Sequence, residues 1–209
     1  MSRWIQPVVL RGQHATLEPL EREHLDALKG AAADGELWRL WYTSVPAPET
    51  TRDYIETALD ARDRLGAMPF VVRQTADGAV VGSTRYLNVD ERNQRLEIGS
   101  TFYARRVQRT AVNTECKLLL LTHAFEQLRA IAVEFRTHWL NFASRTAIAR
   151  LGAKQDGILR NHQRLPDGSY RDTVVFSVIE SDWPAVKHHL RFLLEQRGGS
   201  SHAPGAPSE

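Results

Sequence analysis

Residues 95–121 read RLEIGSTFYARRVQRTAVNTECKLLLL, and the three parts of this stretch require three different backbones. The first, Arg95 to Tyr103, alternates as a strand: Leu96, Ile98, Ser100 and Phe102 are expected on one face, Glu97, Gly99, Thr101 and Tyr103 on the other. A face carrying a carboxylate and two hydroxyls is not ordinary core. The last part begins a helix, with Asn113 as its expected cap and Leu118, Leu121, Phe125 and Leu128 recurring at three- and four-residue steps. Between them lies a turn rich in Arg and Gln. Successive free amides at a helix N-terminus, aligned with its dipole, suit phosphate groups. An ordinary strand-to-helix loop with solvated arginines is the plainer alternative.

Upstream, Thr16 to Leu20 reads as a short strand and Glu21 to Ala33 as a helix with Leu25 and Leu28 on one face. Thr50 and Asp53 have capping-box spacing ahead of Tyr54, Ile55, Ala58, Leu59, Arg62 and Leu65, a helical run ended by Gly66. Met68 to Thr75 and Val80 to Leu87 are strand-like and joined through Asp77-Gly78, which suits a tight hairpin. Downstream come a strand from Ile131 to Thr137, a short helix capped by Asn141 and closed by Gly152, strands from Gly157 to Leu165 and Tyr170 to Ile179, and a helix from Asp182 with Pro184 in its first turn. The order β-α-α-β-β-β-α-β-α-β-β-α predicts a mixed α/β fold, a mostly antiparallel sheet with one parallel neighbour pair around the central helix.

At 209 residues the chain is expected to form one domain over 1–197, with a Gly, Ser, Pro and Ala tail over 198–209. Its 42% hydrophobic and 25% charged residues are the balance of a globular protein. No apolar run is long enough to span a bilayer and no export signal is present, so no membrane role and a cytoplasmic location are expected. Cys116 is the only cysteine, which excludes an intrachain disulfide and a thiolate metal cluster. A net charge of +2 without a basic run gives no footprint for nucleic acid. All but four of the 27 basic Lys and Arg residues are arginine, a skew that reflects base composition more readily than phosphate recognition.

Walker loops, dinucleotide fingerprints, nucleophile elbows and paired zinc histidines are all missing, so hydrolase, kinase and metal-site readings lose their support. What the chain does carry is Leu96-Glu97-Ile98-Gly99, Val112-Asn113-Thr114-Glu115-Cys116-Lys117, His123-Ala124-Phe125-Glu126, Asn141-Phe142-Ala143-Ser144-Arg145, Gly157-Ile158-Leu159-Arg160 and Arg171-Asp172-Thr173-Val174. In that order, from about Leu10 to Leu194, it resembles the GNAT N-acetyltransferases, and within them the RimJ/RimL-like branch that acetylates ribosomal-protein N-termini.

The resemblance implies the GNAT fold, acetyl-coenzyme A (acetyl-CoA) as acyl donor, no metal, an amine acceptor (a peptide N-terminus or a small molecule), and a homodimer. It places the amides of Gln108, Arg109, Thr110, Ala111, Val112 and Asn113 around the coenzyme A pyrophosphate. Ala111 stands where the family has glycine, and no glycine occurs from Ala104 to Thr114. Weaker or reshaped binding is therefore expected. Asn141 matches the residue that contacts the pantetheine arm. The Thr101 N–H is the implied donor to the thioester carbonyl, with Phe102 and Tyr103 beside it.

Acetylation of an amine needs a neutral nitrogen, a base and donors for the oxyanion. Glu97, eleven residues before Gln108, is the implied base; a surface glutamate on an exposed strand is the alternative. Where many relatives have a tyrosine to protonate the departing sulfur, this chain has Ile148. Ser144 resembles the serine used in the RimL-like branch, with helix-start capping as the alternative. His138 and Tyr103 are held in reserve. Trp38, Trp41 and Tyr42 fall where the family shapes the acceptor mouth, although aromatic clusters more often pack in cores. Two other readings stay open: a different donor such as succinyl-CoA, and a non-catalytic acyl-CoA sensor.

Overall fold

In the computed structural model, which describes residues 4–199, the chain opens with β1 (Leu10–Arg11) and β2 (Ala15–Pro19), followed by α1 (Leu25–Ala33) and α2 (Thr51–Leu65). Next come β3 (Met68–Gln74), β4 (Val80–Asp90), β5 (Arg95–Tyr103) and the central helix α3 (Ala111–Thr122), which continues as a π-helical turn over His123–Gln127. β6 (Ala132–His138), α4 (Phe142–Ala149), β7 (Lys154–Arg164), β8 (Tyr170–Ile179) and α5 (Trp183–Gly199) complete it. One eight-stranded sheet runs β1-β2-β3-β4-β5-β6-β8-β7. Every neighbour pair is antiparallel except β5 and β6. The predicted order and the single parallel pair are therefore observed, with β1 as an added strand. Residues 200–209 of the expected tail lie outside the described residues, and α5 extends to Gly199.

Helices cover both faces of the sheet. Tyr54 of α2 donates its hydroxyl to Ser83 on β4, while on the opposite face Tyr86 of β4 donates to the Leu120 carbonyl of α3 at 2.7 Å. The largest fully buried side chains, among them Tyr86, Phe70, Phe135, Leu17, Leu28 and Leu120, fill the two layers this creates. Each such aliphatic or aromatic group contributes about 1.5–3 kcal/mol by leaving water. Gly78, at φ +69°, takes the left-handed turn position that joins β3 to β4.

Two expected caps differ from those observed. Thr50 stands at the N-cap of α2, but its hydroxyl donates back to the Ala47 carbonyl and makes no bond into the helix, so the capping box with Asp53 is not formed. Helix α3 begins two residues before Asn113: Thr110 is its cap, accepting from the Val112 amide at 3.3 Å, and Asn113 lies within the first turn.

The face assignment of β5 is also overturned, by one inserted residue. Arg85 pairs with Gly99 but Ser83 pairs with Phe102, so Ser100 and Thr101 together oppose Thr84, with Ser100 at φ +46°. Alternation slips by one at this bulge. Phe102 joins Glu97 and Gly99 on the α2 side, packing edge-on against Tyr54, while Thr101 turns to the α3 side, its Oγ1 2.7 Å from that of Thr84. Tyr103 lies on that side too, opposite Gly82.

Candidate active site

The bulge decides where the sheet opens. β5 and β6 pair at only three positions, ending at Glu97 opposite Glu134. Beyond the bulge β5 bends away and β6 stays with β8. The gap is a cleft of about 330 Å³ whose walls are Gly99 to Tyr103 on one side and Thr137 to Ile148 on the other, with Asn113 and Lys117 of α3 at its floor. That volume is of the order a small-molecule site needs.

Glu97 sits at the last paired position and is 5% exposed, which removes the surface-glutamate alternative. Burial pushes its carboxyl above the ordinary carboxylate value, against the opposing pull of a 2.7 Å hydrogen bond from Asn88 Nδ2 and of the Arg136 guanidinium, 3.5 Å away. Gly99 leaves room beside it: a Cβ there would come within 2.8 Å of Glu97 Oε1. A buried carboxylate of raised pKa, beside the cleft-lining Gly99, is suited to taking a proton, directly or through water.

On the opposite wall, Asn141 caps α4, its Oδ1 accepting from the Ser144 amide at 3.0 Å. The cap bond thus uses the amide of Ser144 and the side chain of Asn141, whereas the capping alternative required the Ser144 hydroxyl. Ser144 and Ile148 both line the cleft, one helical turn apart on the same face of α4. A hydroxyl therefore stands beside the space where relatives carry the tyrosine.

At the α3 end, the glycine-free loop takes its left-handed turn at a position the sequence did not disclose. The residue in the left-handed region is Arg109, at φ +61°, whereas Ala111 is the first residue of the helix. Ala111 therefore needs no glycine-only backbone. Gln108 braces the loop, donating from Nε2 to the Tyr103 carbonyl at 3.0 Å. A second cavity of about 420 Å³, lined by Gly35, Leu37, Arg105, Gln108 and Arg109, adjoins this terminus. Its two arginines and the helix dipole match a diphosphate in charge.

Two groups of residues were given no role from sequence, Lys117 and the pair Arg136 and Arg171, and a third residue, His138, was held only in reserve. Lys117 is 5% exposed, and its Nζ donates to Thr101 Oγ1 at 2.9 Å and more weakly to Thr84 Oγ1 at 3.4 Å. Arg136 and Arg171, from β6 and β8, reach the cleft from the α2 side; Arg136 is held by Glu134 at 2.8 Å and Arg171 donates to Thr173. Strand periodicity could have found Arg136, two residues from His138 and so on the same face of β6. Nothing in the sequence pairs Lys117 with Thr101. His138 accepts from the Leu140 amide through Nδ1, which leaves its proton on Nε2, a buried atom without a partner among the described residues. Burial and the nearby Arg171 charge both hold its pKa down.

Of the aromatic cluster, Tyr42 alone meets the cleft directly. Trp41 packs edge-on to His138 with ring centres 5.0 Å apart, and Tyr42 lies 6.0 Å from the same ring. Leu37, Leu40 and Tyr42 line the cleft, and Trp38 and Trp41 are not among its walls. Tyr103 lines it, but its hydroxyl is buried against Cys116, and burial pushes both groups up, the thiol to about 12.

A mixed sheet that opens at its single parallel pair, with the first turn of the capped helix α3 beside the opening, fits the expected GNAT fold. Comparison with known families agrees: the Acetyltransferase (GNAT) domain matches residues 14–154. The chain belongs to the GNAT acetyltransferase family. It is 30% identical to a GCN5-related N-acetyltransferase of Brucella melitensis, over 91% of this chain and 86% of that one, with a TM-score of 0.81. YdaF of Bacillus subtilis (strain 168), described as a candidate ribosomal N-acetyltransferase, is 28% identical over 53% of this chain, a match spanning 60% of its own length. RimL, a ribosomal L7/L12 alpha-N-protein acetyltransferase solved with coenzyme A, shares the fold at 16% identity, with a TM-score of 0.70 over 84% of this chain and all of its own.

Proposed function

We propose that this protein transfers an acetyl group from acetyl-CoA to a primary amine, by direct attack of the amine on the thioester while both substrates are bound. The observation that carries the reading is the cleft itself: it opens where β5 and β6 part, close to the buried, raised-pKa carboxylate of Glu97, and reaches Gln108 and Asn113 at the start of α3. Gln108 to Asn113 hold the donor's diphosphate, Asn141 its pantetheine arm, and the Thr101 amide the thioester carbonyl. Glu97 takes the proton from the attacking nitrogen. The C–N bond forms, the C–S bond breaks, and Ser144 orients or protonates the departing sulfur.

The acceptor enters from the side of Tyr42, His138 and Arg171, and the ribosomal-protein acetyltransferases among the relatives favour a protein N-terminus. No metal takes part. The buried single cysteine suits a reducing cytoplasm, and the outer strand β7, exposed along most of its length with Ile158 and Leu159 at the surface, offers an edge on which two copies could pair. Light scattering in solution tests the pairing.

The function is tested by following free thiol released from acetyl-CoA against a panel of peptide N-termini and small amines. Turnover by the wild type and its loss in Glu97→Gln are expected. Melting with and without acetyl-CoA gives a second check: a ligand at a hundred times its Kd adds about 2.7 kcal/mol of stability. No shift and no thiol would overturn the reading.

A further inference from the structure

A lysine is almost never buried without a carboxylate, because removing an ammonium from water costs several kcal/mol unless an opposite charge is supplied. Lys117 is such a lysine. It is 5% exposed, forms no ion pair among the described residues, and is bonded only to the hydroxyls of Thr101 and Thr84. Those two threonines face each other across the bulge of β5, so the ammonium is clamped against the distortion that opens the cleft, and Lys117 is itself one of the cleft's lining residues. An ammonium has three donors. Two are taken, and the third has no protein acceptor among the described residues.

The surrounding charges leave it unneutralised. On its own helix, Glu115 is turned away to the amides of Gln13, His14 and Ala15, and Cys116 is a buried thiol. From β5 the α3 side presents Tyr103, also buried, while Glu97 lies on the opposite face. From β4 the opposite face carries Arg85, stacked over Tyr54. Arg136 and Arg171 reach the cleft from β6 and β8 and are cations as well.

We propose that the Lys117 ammonium, held against the bulge by Thr101 and Thr84, directs its third N–H at the acyl thioester and stabilises the negative charge that develops there as the amine attacks. This rests on the acetyl-transfer reading above. As the nitrogen lone pair forms the C–N bond, the carbonyl π pair moves onto oxygen; when that pair returns, the C–S bond breaks and its electrons leave on sulfur. Lys117 gives up no proton in either stage. It supplies a fixed positive charge in a water-poor site, where charge is most effective. Burial has already drawn its pKa down to about 8, so this charge is lost at mildly alkaline pH, unless a developing negative charge holds the proton on.

The chain has only four lysines, Lys29, Lys117, Lys154 and Lys187, so protein labelled with 13C at lysine Cε gives four resolvable signals. The signal absent from Lys117→Met should titrate near pH 8 in free wild type, and move on addition of coenzyme A. In turnover, Lys117→Met is expected to lower kcat by roughly ten- to a hundredfold with the KM for acetyl-CoA within about threefold, and to abolish the alkaline fall of the wild-type kcat. It should melt no lower than wild type, because a buried charge has been removed. A signal that does not respond to coenzyme A, a kcat unchanged by the substitution, or a loss confined to KM would each overturn the proposal. If Lys117→Met does not fold, the wild-type signal and alkaline limb decide alone. Absence of any wild-type turnover would remove the acetyl-transfer reading and this inference with it, whereas turnover indifferent to Lys117 removes this inference alone.

Discussion

Strand β6 has two neighbours and treats them differently. Against β8 it pairs without interruption from Ala132 opposite Ile179 to His138 opposite Thr173, and against β5 it pairs at three positions and stops. The β8 side is a load of buried Val and Phe side chains, Val174, Phe176 and Val178 among them. Across the β5 side stand Glu97, Glu134, Arg136 and, behind the bulge, Lys117. Completing a ladder yields stability; interrupting one leaves space and unneutralised charge, which is what chemistry on a thioester requires. The two sides of one strand should therefore fail in different ways when altered.

The largest effect is expected from Glu97→Gln. Loss of a general base typically costs about 10²- to 10⁴-fold in rate, and because the carboxyl is held above its normal pKa by burial, the uncharged amide should leave the melting temperature unchanged or higher. In the wild type, Glu97 must be ionised to act, so kcat/KM should fall with acid through a limb lying above the ordinary carboxylate range, and that limb should be missing from Glu97→Gln. Val178→Ala on the β8 side should do the reverse, costing about 2 kcal/mol of stability in a denaturant titration while kcat stays within about twofold of wild type. If Val178→Ala reduced kcat tenfold at unchanged stability, the division of labour across β6 would be wrong.

Smaller changes sharpen the same contrast. Gly99→Ala should press a methyl group against Glu97 Oε1 and lower kcat by about tenfold, the equivalent of 1.4 kcal/mol, with little change in folding. Thr110→Ala removes the cap of α3 and should cost about 1 kcal/mol of stability, together with a weaker Kd for coenzyme A measured by calorimetry. Ser144→Ala should have the least effect on folding, since its hydroxyl makes no cap bond, and a kcat reduced while thiol release becomes rate-limiting would support its place beside the sulfur.

Much of this layout was legible in the sequence. Hydrophobic periodicity located α2 and α3, because each packs one face against the sheet, and strand-forming runs separated by turn residues located both hairpins. Glu97, Asn141 and Ser144 were legible through the family resemblance, and all three lie at or beside one cleft. What could not be read was the bulge. One extra residue at Ser100 reverses which side Thr101, Phe102 and Tyr103 face, and period-two counting has no means of detecting an insertion that is stabilised by a partner strand. The same blindness applied to Arg109: the loop looked deficient for want of glycine at Ala111, yet the strained backbone falls two residues earlier. Lys117 was hidden differently. In sequence it is a lysine in a leucine-rich helix, ordinarily a solvated position, and only the packing of α3 over β4 and β5 turns it inward.

The central claim is that the donor's thioester lies where β5 leaves β6. A crystal structure with bound acetyl-CoA measures this directly. The account predicts the diphosphate at Gln108 to Asn113, the pantetheine between the two strands beside Asn141, and the acetyl carbon next to the Ser100–Thr101 bulge with Glu97 and Lys117 on opposite sides of it. Acetyl-CoA bound with its thioester outside the cleft, or with β5 and β6 closed into a continuous ladder, would contradict it.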